Sequence, residues 1–201
     1  MKGDIVRLHR HRMGIDGSGI STLILFYGCP LRCKYCANWY CYQESTYRES
    51  YTSKELAELL SCDDIYFKMT GGGIVFGGGE PLLQAEFIFE VCQITDCLWK
   101  KRVETSLYAS WEKIEFLLGF IDEWIIDIKD VNPLIYKNYT KKENDIVLSN
   151  LRRLLYYVPR DKVLIRIPSI FGYNTSNDVK KSLQTIKEMG YTRINTFDYI
   201  L

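Results

Sequence analysis

The chain has 201 residues, 47% hydrophobic and 25% charged, with a formal net charge of +1, which suits one soluble domain over 1–201 and gives no electrostatic reason to expect nucleic acid. No apolar run reaches membrane-spanning length and the opening MKGDIVR lacks the apolar stretch of a secretory signal, so the expected setting is the cytoplasm, with no membrane partner. The seven cysteines would stay reduced there, and their odd number argues against a complete disulfide framework.

Short β-branched or aromatic runs recur along the chain, each followed by a helical pattern. A first strand is expected at 22–27, leading into the loop YGCPLRCKYCAN with Cys29, Cys33 and Cys36. Thr52 and Glu55 form a capping box for a helix to Leu60. A second strand is expected at 74–76, between two glycine triplets at 71–73 and 77–79, and Pro81 then opens a helix towards Cys92. The remaining strands are expected at 102–105, 124–129, 163–167 and 193–197. Helical patterns lie at 111–120 and 145–157, and a last helix is capped by Asn177 and ends at Met189, with Gly190 at the left-handed position beyond it. Six such alternations imply a parallel sheet with helices on its outer face. A closed eight-fold barrel typically needs about 250 residues. The expected fold is therefore α/β: a partial (β/α)6 TIM-like barrel, or open curved sheet.

In such folds the site lies where strands end and loops begin. Cys29 follows the first expected strand and Glu80 the second; Glu104, Thr105 and Ser106 end the third, Asp127 and Lys129 the fourth, Arg166 the fifth. Three thiolates spaced CxxxCxxC suit three irons of a four-iron cluster, leaving the fourth iron open to bind a small molecule and pass it an electron. Three plainer readings compete: half of a zinc site with Cys41 as fourth ligand, unrelated core thiols, or disulfides. Zinc sites favour paired CxxC units and often histidine, but the two histidines, His9 and His11, lie near the N-terminus. Core thiols do not normally crowd a loop with Pro30, Arg32 and Lys34, and Cys62, Cys92 and Cys97 show no ligand spacing.

The second glycine triplet presents backbone groups beside Glu80, an arrangement able to hold the ammonium and carboxylate of an amino acid; a plain tight turn is the alternative. The Gly-Lys-Ser/Thr ending of a phosphate loop is absent. Asp127 and Lys129 should point to the same side of one strand and, if buried, must be paired. Arg166 suits a carboxylate or a ribose hydroxyl.

Together these segments resemble the radical S-adenosylmethionine (SAM) superfamily, and within it the activating enzymes of glycyl-radical enzymes, the pyruvate formate-lyase activating enzyme type. The cysteine loop is the superfamily signature. IDGSGI from Ile15 resembles the activating enzymes' D-G-P-G-I-R, and MTGGGIVFGGGEPLLQ from Met69 resembles their glycine-rich region. Glu104-Thr105 and Asp127-Ile-Lys129 fall at the spacing of their D-T and D-L-K motifs. The resemblance implies a [4Fe–4S] cluster on Cys29, Cys33 and Cys36. It implies SAM chelating the open iron, with Gly78, Gly79 and Glu80 at its methionine moiety and Tyr35 near adenine. Lys129 and Arg166 would lie at the carboxylate or ribose end, and Thr105, Ser106 and Asp127 also within the cofactor site. It implies a monovalent-cation site from Glu104, Thr105 and Asp127, and Asp16 facing the substrate loop. The implied activity is reductive cleavage of SAM to a 5′-deoxyadenosyl radical that makes a glycyl radical on a partner enzyme, with a flavodoxin- or ferredoxin-type electron donor. The chain departs from the pattern at Ser18 for proline, Ser21 for arginine and Glu104 for aspartate, and no histidine follows the last expected strand. Other readings are a radical SAM enzyme acting on a small molecule, such as a deazapurine precursor, an activator of anaerobic ribonucleotide reductase, and a non-catalytic zinc- or cluster-bearing interaction module.

Overall fold

The computed structural model describes residues 1–199. Its strands are β1 (Lys2–Met13), β2 (Ile20–Phe26), β3 (Glu49–Thr52), β4 (Gly73–Gly78), β5 (Lys100–Thr105), β6 (Glu123–Asp127), β7 (Val163–Ser169) and β8 (Ile194–Asp198). They form one open sheet in the order β3-β1-β2-β4-β5-β6-β7-β8. From β2 to β8 every neighbouring pair is parallel, so the six expected strands are the six parallel ones. β1 and β3 were not expected. They add an antiparallel ribbon beside β2.

The helices are α1 (Ser53–Ser61), α2 (Asp64–Thr70), α3 (Ala85–Ile94), α4 (Trp111–Glu115), α5 (Pro133–Thr140), α6 (Asp145–Leu154) and α7 (Ser176–Glu188). Thr52 and Glu55 close the expected capping box on α1. α7 is capped by Thr175 with Asp178 rather than by Asn177, because the Thr175 hydroxyl accepts the Asp178 N–H while Asp178 reaches back. Gly190 has a φ of +104°, the left-handed backbone expected there. The helix expected at 111–120 is regular only to Glu115, and α2 and α5 were not anticipated. No helix among the described residues is long and apolar enough to cross a membrane.

Strand parity sorts the side chains. Ile24, Phe26, Ile74, Phe76, Val103, Ile126, Ile165 and Ile167 join Leu56, Phe67, Ile88, Val91, Leu151 and Ile186 in one helix-covered core. The alternate residues face the other side. There the apolar cluster is small, built on Leu23, Leu25, Cys41 and Val75. On this thinner side the same parity places Glu104, Asp127 and Arg166, so the charged residues share a face because of the pleat and not because they are close in sequence.

Candidate active site at the ends of the parallel strands

The cysteine loop has almost no regular structure and is held by backbone bonds to its neighbours. Gly28 N–H donates to Cys41 O at 2.7 Å, Arg32 N–H to Thr140 O at 2.9 Å and Lys34 N–H to Tyr139 O at 3.2 Å. The β2–β4 pairing continues past the strand ends: Gly79 N–H reaches Phe26 O at 3.1 Å and Glu80 N–H reaches Gly28 O at 2.7 Å. That approach requires glycine at 79, where a Cβ would stand 1.9 Å from Gly28 O. Gly78 has a φ of +100°, which an L side chain rarely tolerates.

A cavity of about 460 Å³ opens between these loops, lined by all three cysteines, Asn38, Gly78, Gly79, Glu104, Thr105, Ser106, Asp127, Lys129 and Arg166. Its size falls in the range of small-molecule sites. Three free thiols that line one cavity suit a cluster that spreads its irons. Among the described residues, no group of three or more His, Cys, Asp or Glu is drawn together tightly enough to hold a single metal ion. Burial, with help from Glu80, pushes the Cys29 thiol up to about 12. Burial also pushes Cys33 up to about 11, while Lys129 pulls the other way. Cys36 is raised too, chiefly by burial. Cluster binding must therefore expel these protons.

Asp127 and Arg166 are register partners on β6 and β7. Arg166 Nε donates to Asp127 at 2.7 Å and its Nη1 to Glu104 at 3.0 Å; Lys129 Nζ donates to the other Asp127 oxygen at 3.2 Å. Burial pulls the Lys129 pKa down, but Asp127 more than offsets it and holds the ammonium charged. Burial likewise works against Asp127, and Lys129 with Arg166 outweighs it, so its carboxyl stays below the ordinary range. Glu104 goes the other way: burial raises it despite Arg166.

Residues given four roles by the resemblance make contacts within the protein itself. At Glu104, Thr105 and Asp127, the implied monovalent-cation site, the Arg166 guanidinium engages both carboxylates, because its strand position sets it beside Asp127, and Thr105 turns to Glu80. Glu80 itself is buried and does not line the cavity. Its oxygens accept from Thr105 Oγ1 at 2.5 Å, Ser106 Oγ at 2.6 Å, Ser106 N–H at 2.9 Å and Leu82 N–H at 3.3 Å. It is a clasp between the ends of β4 and β5, and burial raises its pKa. Tyr35 also lies off the cavity, packed against Tyr139 and Tyr173. Asp16 is buried and bound by Arg12, whose Nη2 donates at 2.7 Å, so it does not face outward. Arg12 is the register partner of Ser21, the position where the family pattern has arginine.

Two asparagines escaped the sequence reading. Asn38 lines the cavity and donates to Gly78 O at 3.2 Å, tying the cysteine loop to the glycine loop. Asn150 is buried on α6 and donates to Leu107 O at 3.0 Å and Ala109 O at 2.9 Å. It braces a loop in which Leu107 has a φ of +57°, a conformation unusual for a residue with a Cβ. The available signal was an amide in the apolar stripe Val147, Asn150, Leu151, Leu154. Phe197, Asp198 and Tyr199 complete the cavity wall; Ile200 and Leu201 lie outside the described residues.

Comparison with known proteins fits this geometry. The chain is 28% identical to the (2S)-3-sulfopropanediol dehydratase activating enzyme of Klebsiella oxytoca, over 92% of this chain and 80% of that one. It is 35% identical to the pyruvate formate-lyase-activating enzyme of Clostridium pasteurianum over 64% of this chain and 53% of that one. In fold it resembles Streptococcus suis SuiB bound to S-adenosylmethionine, with a TM-score of 0.65 at 13% identity, over 87% of this chain and 39% of that one. The profile of the radical SAM superfamily matches residues 23–186, spanning the cysteine loop and five of the six parallel strands. With three cysteines converging on one cavity at the strand ends, the chain belongs to the radical SAM superfamily.

Proposed function

We propose that this chain is an activating enzyme for a glycyl-radical enzyme. The observation that carries the reading is the cavity at which Cys29, Cys33 and Cys36 meet Gly78, Gly79, Lys129 and Arg166, in a chain whose relatives include several activating enzymes. When bound, the [4Fe–4S] cluster supplies one electron to the SAM sulfonium, giving methionine and a 5′-deoxyadenosyl radical that takes a hydrogen atom from a glycine Cα of the partner.

The protein's part is to hold and shield. The three cysteines hold three irons. The Gly78 and Gly79 backbone, able to approach closely without side chains, takes the methionine moiety. Lys129 and Arg166 remain charged, and each keeps N–H donors beyond those given to Asp127 and Glu104, so they serve the carboxylate or ribose end. Glu80 acts through Ser106 and Thr105, whose hydroxyls it orients. Asp127 fixes both cations. The setting we propose is the cytoplasm, with a flavodoxin or ferredoxin as donor.

Anaerobic reconstitution tests the reading. About four irons per chain are expected, lost in Cys29→Ala, Cys33→Ala and Cys36→Ala and retained in Cys62→Ala. Reduced protein should cleave SAM to 5′-deoxyadenosine and methionine. With the cognate partner it should give a glycyl radical visible by electron paramagnetic resonance. Cleavage without any radical on the cognate partner would remove the activating role; no cleavage at all would remove the catalytic one.

A further inference from the structure

Cys33 is flanked by two exposed cations, Arg32 and Lys34. The backbone bonds from both of these residues to the last turn of α5, at Thr140 and Tyr139, bring the loop against that helix end. Lys141 and Lys142, both exposed, follow immediately. Four exposed cations therefore lie on the two segments that meet beside Cys33, in a chain whose net charge is only +1. None of the four pairs with a carboxylate among the described residues. Arg32 reaches Cys29 O at 2.6 Å and Leu31 O at 2.8 Å and lies over the Tyr42 ring, and Lys141 Nζ donates to Asn138 O at 2.9 Å. The nearby Lys137 is neutralised by Glu143 at 2.5 Å and is not counted. None of the four lines the cavity.

We propose that this basic collar is the docking surface for a small acidic electron-carrier protein. The proposal rests on the functional reading above, which needs one electron for each SAM cleaved. The collar suits that task for three reasons. Cys33 is one residue from solvent on either side, so a carrier seated there would lie close to the cluster. Clustered charge of one sign steers an oppositely charged protein and speeds its encounter. The collar's four cations border the cavity without lining it, so the carrier need not displace SAM or the substrate. With a flavin carrier the balance is simple. The anionic hydroquinone gives up one electron and becomes the neutral semiquinone, no proton is released, and the cluster takes that electron, passing from the 2+ to the 1+ state.

The test compares the reconstituted protein with its Lys34→Glu/Lys141→Glu/Lys142→Glu variant, using flavodoxin as the probe. Calorimetric titration with oxidised flavodoxin reads docking without turnover, and stopped-flow bleaching of the cluster by flavodoxin hydroquinone reads transfer. Both should fall by about tenfold or more in the variant, and in the unchanged protein both should weaken as salt is raised. Reduction by dithionite, which needs no docking, should be the same in the two proteins. Equal flavodoxin binding and rates, salt-insensitive rates, or failure of flavodoxin to reduce the unchanged protein would each overturn the proposal. If the triple variant loses iron, Lys34→Glu/Lys142→Glu provides the same comparison. Loss of dithionite-driven SAM cleavage in both proteins would instead count against the functional reading, and the binding titration would still judge the collar.

Discussion

Two buried charge clusters occupy opposite ends of the parallel strands. At one end Asp63, just before α2, accepts from Arg10 Nε at 2.9 Å and Nη2 at 2.5 Å, His11 Nε2 at 3.0 Å and Thr22 Oγ1 at 2.8 Å. At the other, Asp127 holds Arg166 and Lys129. Both acids are held below the ordinary carboxylate range, against burial, by the cations and donors around them. They differ in what is left over. Asp63 fastens β1, β2 and α2 together and does not line the cavity at the cysteines, whereas Asp127, Lys129 and Arg166 all do. An ion pair on a buried acid is thus architecture or machinery according to whether its members line the ligand-sized cavity.

Asp127→Ala should separate the two most sharply. With Arg166 and Lys129 released, SAM affinity and cleavage should fall by about a hundredfold, the equivalent of one to two charge-assisted bonds, while iron content stays near normal. Asp63→Ala should instead cost about 2–3 kcal/mol in denaturant unfolding, less than for a fully buried pair because Arg10 can return to water. Cleavage per folded molecule should not change. An Asp63 variant as defective towards SAM as the Asp127 variant would erase the distinction.

The acid limb sharpens it further. A lowered folded pKa means that the contribution of Asp63 is whole above the unfolded aspartate value, about 3.9, and is lost as pH falls through the folded value. Asp63→Asn should therefore flatten the decline in stability below about pH 4. Glu104, whose folded pKa is raised, has the opposite sign: its contribution is present below its unfolded value and lost as pH rises through the folded one.

Asn150→Ala should cost about 1–3 kcal/mol by stranding two buried carbonyls, with a severalfold rise in the SAM KM as the loop after Ser106 relaxes. The smallest effect is expected for Tyr136→Phe. The Tyr136 hydroxyl is buried without a hydrogen-bond partner among the described residues, so its removal should be neutral or stabilising, within about 1 kcal/mol. A large loss would mean that the hydroxyl has a partner in the loaded protein.

The six parallel strands were legible because each carries a β-branched or aromatic run bounded by turn residues. β1 was not. Its second half reads His9, Arg10, His11, Arg12, and it crosses two register shifts, so period-two alternation is broken where charge is densest. β3 is only four residues long, and its end doubles as the cap of α1. At the site, Cys29, Cys33, Cys36, Lys129 and Arg166 could be read from spacing and from strand ends. The actual bonds of Glu80 and Asp16 could not. A carboxylate after a glycine run looks the same whether it meets a ligand or two hydroxyls from the next strand, and Arg12 reaches Asp16 only because a hairpin returns it there. Asn38 and Asn150 act on the carbonyls of distant loops, contacts that no local pattern encodes.

The close contact at Gly79 has a consequence for assembly. With its amide on Phe26 O, the next amide on Gly28 O and the Asn38 amide on Gly78 O, the cysteine loop and the glycine loop are joined as a single mechanical unit. A cluster held between loops so joined costs less ordering entropy than one that must bring them together itself. Any side chain at 79 would pry the two loops apart and restore that cost. One methyl group there, set 1.9 Å from Gly28 O, should impair cluster loading and SAM binding together.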